Sequence, residues 1–71
     1  MARFDLYANW EEIAIGIAHV VVSAVPVDAG RAIVRQQSTT PREAPAVQAA
    51  LLAVLKAELA AAGHEIASVT E

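Results

Sequence analysis

The chain has 71 residues, no cysteine and a net charge of −3, with 56% hydrophobic and 18% charged residues. It therefore forms no disulfide and no thiolate metal site, and we expect one small domain over residues 1–71. Only five side chains carry a fixed positive charge. That number argues against nucleic-acid binding, because affinity for phosphate backbones depends on clustered Lys and Arg.

The hydrophobic excess predicts association. A folded chain of this mass exposes roughly 4,200 Å², and average soluble domains are about 25% charged. Here the mean hydropathy is +0.45. Part of the excess is alanine, which is nearly neutral on a surface, but Ile, Val and Leu are plentiful enough to leave an apolar patch. Such patches usually mark contact sites, so we expect contacts with copies of the chain or with another protein.

No membrane span is expected. The longest mostly apolar run, Ile13 to Val27, contains His19 and Ser23. It falls short of the roughly 20 residues that a membrane helix needs. No basic segment with a cleavage site opens the chain. These features predict a cytoplasmic protein, or one within an assembly built in the cytoplasm.

The chain opens with an alternating segment from Ala2 to Ala8, in which Phe4 and Leu6 point to the same side. Period-two alternation predicts a half-buried strand. The next three residues, Asn9-Trp10-Glu11, are interpreted as a turn.

The segment Glu12–Val25 fits two structures. As a strand, it places Ile13, Ile15, Ile17, His19 and Val21 on one face and small or branched residues on the other, and its β-branched residues favour this interpretation. As a helix, it would start from an Asn9 cap and present a stripe that begins at Trp10 and Ile13. The regular spacing of the isoleucines favours the strand.

A turn and a third strand follow. Pro26 to Gly30 contains the Pro, Asp and Gly residues typical of turns, and Arg31–Gln37 resumes as a short strand with Ile33 and Val34 on opposite faces. We expect the second and third strands to form a hairpin.

A long helix is predicted from Pro41 to about Ala62. Thr40 is a suitable N-cap, Glu43 completes a capping box, and Gly63 suits a left-handed C-cap. Pro45 delays the regular start by one turn. The predicted apolar stripe comprises Val47, Leu51, Val54, Leu55, Leu59 and Ala62.

A last strand is predicted over His64–Thr70, which gives the order β-β-β-α-β. The expected fold class is α+β, with a small antiparallel sheet and one long Ala/Leu-rich helix packed on one face.

The faces of these elements predict contact surfaces. The helix carries alanines opposite its stripe, with Lys56 as the main charge there; alternatively, alanine fills an exposed face simply because of its helix propensity. One helix covers one sheet face, so we expect the second apolar face to meet a neighbour. Trp10 is either an interface anchor or the cap of a small core. The predicted contact residues are Tyr7, Trp10, Ile15, Ile17, Val20, Val22, Ala53, Ala57 and Ala60.

Candidate chemistry is sparse. Glu58 falls within the apolar arc of the helix, where burial would suit a general acid, or else at its edge beside an arginine. His19 is a candidate base or, more simply, a hydrogen-bonded histidine; His64 suits the negative end of the helix. Two distant histidines without cysteine are a poor metal signature, and phosphate-loop and nucleophile motifs are absent. We expect no metal and no cofactor.

The strand layout, the Thr-Thr-Pro-Arg-Glu-Ala helix start and the Ala/Leu helix loosely resemble small antitoxins of the HicB type, over Val20 to Leu59. The chain lacks that family's compact glycine-cysteine turn after the second strand, so no functional residue is carried over. The resemblance implies a regulatory binding module. The leading hypothesis is instead a non-catalytic subunit of a homo-oligomer or larger assembly, of the kind found among small phage structural proteins. The least favoured hypothesis is a small oligomeric enzyme.

Overall fold

The computed structural model describes residues 2–71 as one four-stranded sheet with a single helix against it. The α+β class and the order β-β-β-α-β are confirmed. The elements are β1 (Arg3–Ala14), β2 (Ile17–Pro26), β3 (Ile33–Thr39), α1 (Ala44–Ala61) and β4 (Glu65–Thr70).

The sheet is mixed, so the prediction that it is wholly antiparallel is wrong. The strand order is β3-β2-β1-β4, with β2 antiparallel to both of its neighbours and β4 parallel to β1. The 18-residue helix is about 27 Å long and carries the chain back along the sheet. The last strand therefore starts from the same end as β1 and runs in the same direction.

The first hairpin turns at Ile15-Gly16, which corrects two predictions. Asn9, Trp10 and Glu11 do not form a turn, because they pair with Val21, Val20 and His19 in the middle of the ladder. Glu12–Val25 is not one strand, since the chain reverses within it. Gly16 adopts φ +76°, a conformation that L side chains rarely take, and the register shifts between Glu12 and Ala14 just before the turn.

Alternation along the strands separates the core from the open face of the sheet. The inward residues of β1 and β2 are buried against the helix: Phe4, Leu6, Ala8, Ala18, Val20, Val22 and Ala24. The predicted third strand lies two residues too early, but Ile33 does pack against the core while Val34 faces away and is 48% exposed.

The predicted C-terminal end of the helix is present, but the predicted N-terminal end is not. The N-cap is Glu43, without a side-chain capping hydrogen bond, and its carboxylate accepts from the Thr39 hydroxyl (3.3 Å) rather than completing a capping box with Thr40. The Glu43 amide donates to the Thr40 hydroxyl (3.4 Å), and the Ala44 amide donates to the Thr40 carbonyl (3.0 Å). Residues 41–43 form a turn and the α-helix starts at Ala44, one turn late as Pro45 predicts. Gly63 has φ +80° and donates to the Ala60 carbonyl, while His64 donates to that of Leu59. These two bonds are the Schellman pattern of a helix C-terminus.

The buried face of α1 is rotated from the predicted stripe. Leu52, Leu55 and Leu59 face the sheet, with Leu51 and Val47 at the margin. Val54 is 52% exposed and Ala62 is also exposed, so both were wrongly placed in the core. The rotation follows from leucine at position 52, whose burial removes more apolar surface from water than that of valine at 54.

Candidate interaction surfaces

Two of the predicted contact residues lie inside the domain. Val20 and Val22 have no exposed surface, because they point from β2 toward the helix. They therefore build the core and are not available to a partner. The prediction failed because the buried face of β2 could not be identified without knowing which side the helix covers.

Trp10 closes one end of the core, as its second interpretation proposed. It is partly buried and packs with Val47 and Leu51 against the small cluster formed by Ala18, Val20 and Ala44. The bulky indole covers the place where the helix begins, and its partner across the ladder is Val20. Its main contacts are therefore within the chain.

The open face of the sheet is less apolar than expected. Tyr7 and Ile17 are each 45% exposed and lie on this face, as does Val21, which is partly buried. Polar side chains lie between them on β2 and beside them on β1 and β3. Those open-face polar residues include Asp5, Asn9, Glu11, His19, Ser23, Gln36 and Ser38. The open face therefore mixes polar and apolar side chains, and several of its apolar side chains lie on β2.

The most exposed apolar side chains lie at the end of the first hairpin. We call residues 11–17 the hairpin tip; all of them are exposed, and Ile13, Ile15 and Ile17 are 57%, 100% and 45% exposed. No part of the described chain, residues 2–71, covers Ile15. Sequence reasoning named Ile15 and Ile17 but treated them as part of a continuous strand face.

The outer face of α1 is the second exposed apolar surface. We use this name for Ala53, Val54, Ala57 and Ala60, all of which are exposed. The helix has a mean hydropathy of 1.4, and only 22% of its residues are buried. Its length and composition would allow it to cross a membrane, but core helices of soluble proteins often have the same length and composition. In this chain the leucines of the helix pack on the sheet.

The candidate acid/base residues lie on opposite sides of the sheet. Glu58 is at the edge of the buried helix face, 2.7 Å from the Arg35 guanidinium, and both side chains are about two-fifths exposed (41% and 44%). This confirms the simpler of its two interpretations. His19 lies on the open face, where its Nε2 hydrogen-bonds to Gln36 Oε1 (2.9 Å). The sheet separates the two residues, so they do not form one site.

His64 terminates the helix through its backbone. Its amide bonds to the Leu59 carbonyl, whereas its ring lies 5.1 Å from the Phe4 ring in an edge-to-face arrangement. The ring Nδ1 accepts a bond from the Ala2 amide (3.4 Å). The His64 side chain thus links the backbone of Ala2 to the C-terminal end of α1.

Residues 2–71 contain no pocket and no group of three His, Asp or Glu side chains placed to hold a metal ion. Comparisons with protein-family models, with curated proteins and with solved structures find no match for this chain. The likeness to HicB-type antitoxins and the phage hypothesis therefore stay predictions.

Proposed function

We propose that this chain is a non-catalytic structural subunit that assembles with further copies of itself through the outer face of α1. The support is one observation: an 18-residue helix with a mean hydropathy of 1.4 has only 22% of its residues buried within the chain.

Exposed helix faces normally carry several charged side chains. α1 has only two charged side chains, Lys56 and Glu58, and the Glu58 carboxylate forms a salt bridge with Arg35. The alanines allow the backbone of another element to approach closely, and Val54 supplies a larger apolar contact beside them. Covering this surface removes it from water, which favours assembly.

The exposed surface of the chain is slightly larger than its mass predicts. A stable interface typically buries about 800 Å² per partner. The accessible surface of this chain is 4548 Å², somewhat above the roughly 4,200 Å² expected for its mass. The excess fits an elongated molecule that measures 42 × 19 × 15 Å.

Sedimentation equilibrium at micromolar concentration tests the proposal. We expect a mass above the 7.4 kDa of one chain, and at least tenfold weaker association for Ala57→Glu, which puts a charge on the outer face without reducing helix propensity much. Ala29→Glu, the same substitution in an exposed loop, should associate as the wild type does. A wild-type mass of 7.4 kDa throughout the concentration range would contradict self-assembly.

A further inference from the structure

The hairpin tip extends past the end of the helix. β1 has 12 residues and is about 40 Å long, whereas α1 is about 27 Å long. The helix starts beside Ala18, which is the last buried residue of β2 on the approach to the turn. Beyond Ala18 the two strands pair only with each other. Ile15 is fully exposed there, and Ile13 and Ile17 are about half exposed.

The tip is acidic as well as apolar. Glu11 and Glu12 belong to it, and the sequence has no lysine or arginine between Phe4 and Gly30. The Glu12 carboxylate accepts a hydrogen bond from the Gly16 amide (3.2 Å), which holds one negative charge beside Ile15. An anionic membrane surface would repel this combination, and an apolar surface with basic residues beside it would attract it.

The outer face of α1 has that complementary chemistry. Arg42 precedes the helix and Lys56 flanks the exposed alanines, and neither forms a salt bridge within residues 2–71. Arg3 and Arg35, by contrast, already pair with Glu65 and Glu58. Among residues 2–71, the cations without a salt bridge are Arg31 in the loop before β3, Arg42 just before the helix and Lys56 within it.

We propose that the hairpin tip of one copy docks on the outer face of α1 of the next copy. This inference rests on the proposed function and specifies its geometry. A two-fold contact between tips would bring four glutamates together. The tip-to-helix contact joins unlike charges instead.

Such a contact is heterologous, so a docked pair still has one free tip and one free helix face for further neighbours. Heterologous contacts close into a ring if the rotation between copies allows it, and otherwise extend into a filament. The expected assembly is therefore larger than a dimer and grows with concentration unless a ring closes.

Two variants test the geometry by complementation. Ile15→Asp disables the tip, and because Ile15 is fully exposed the fold is unaffected. Ala57→Glu disables the helix face and leaves the tip intact. Each variant alone should sediment as a monomer, whereas an equimolar mixture should form a dimer of twice the 7.4 kDa chain mass, because one working tip meets one working helix face.

Val27→Asp is the matched control, since Val27 is 43% exposed at the other end of β2 and this variant should assemble like the wild type. A mixture that stays monomeric, while the wild type assembles and Ala57→Glu does not, would overturn tip docking and leave self-assembly through the helix standing. A monomeric wild type would overturn both proposals.

Charge reversal gives a second readout. Glu12→Lys and Lys56→Glu should each weaken assembly several-fold, and the double variant should restore it, since the opposite charges then meet again. If the double variant assembles even more weakly than either single variant, the docked arrangement is wrong. Raising the salt concentration should reduce the difference between the single variants and the wild type, because the charges are solvent-exposed.

Discussion

The two halves of the first hairpin share strands and alternation but differ completely in burial. At its base, residues 3–8 and 20–26, the inward side chains Phe4, Leu6 and Val22 are covered by the helix and are at most 6% exposed. At the tip, Ile13 is 57% exposed and Ile15 is fully exposed, whereas Ile17 lies on the open face, which the helix does not cover at either end. Hydrophobicity alone therefore does not decide burial; the reach of the 18-residue helix does.

The largest expected effect comes from a core substitution at the base of the hairpin. Leu55→Ala removes a fully buried side chain between helix and sheet and should cost about 2–5 kcal/mol of the free energy of unfolding. The measurement is urea denaturation, performed in the Ala57→Glu background at fixed protein concentration so that assembly does not contribute.

Ile15→Ala is the matched substitution at the tip and should change the free energy of unfolding by less than about 0.5 kcal/mol. If Leu55→Ala and Ile15→Ala lower the free energy of unfolding equally, Ile15 is buried in the isolated chain. The contrast between base and tip is then wrong.

A smaller effect should come from two of the three glycines with positive φ, Gly16 and Gly63. Gly63→Ala and Gly16→Ala each place a Cβ at φ +80° or +76°, where nothing lies within 4 Å, so the cost is conformational strain on the order of 1–2 kcal/mol. Gly63→Asn should lose less than Gly63→Ala, because asparagine tolerates this region better.

The glycine series also sharpens the comparison of base and tip. Thermal denaturation should show Gly63→Ala destabilising the whole domain, since that residue ends the helix that covers the base. If Gly63→Ala and Gly63→Asn are equally stable, relief of backbone strain is not the reason that glycine is favoured at position 63.

The smallest expected effect is at the ion pair that joins β3 to α1. Glu58→Gln should cost between about 0 and 1 kcal/mol, because both partners are more than two-fifths exposed and surface pairs contribute little. Urea denaturation of Glu58→Gln and of the wild type, each in low and high salt, checks this value. A loss above about 2 kcal/mol would indicate that the pair is buried by an interface rather than exposed to solvent.

Much of the fold is predictable because local signals agree. Pro45 and Gly63 mark the ends of the helix, and Phe4 and Leu6 alternate as a half-buried strand does. The turn at Ile15-Gly16 was missed because the glycine falls within the Ile-x-Ile spacing and there looks like a small strand residue. The rotation of α1 and the parallel pairing of β4 depend on contacts between distant elements, which no local pattern encodes.

The candidate surfaces were predictable only in part. Ala53, Ala57 and Ala60 were correctly placed on the exposed side of the helix, since a leucine-rich stripe leaves its opposite side outside. Val20 and Val22 were assigned to the surface because a strand that is apolar on both faces does not reveal which one the helix covers. The association that these surfaces imply stays a prediction.

The parallel pairing of β4 with β1 has a consequence for how the chain folds. Ser68 donates to the Asp5 carboxylate across a sequence separation of 63 residues, and β1 lies between β2 and β4 in the sheet. β1 is therefore made before β4 and lacks this second neighbour until β4 has been made. Until then one side of β1 presents unpaired backbone groups, and a ribosome-bound chain without β4 should be the species most prone to aggregate.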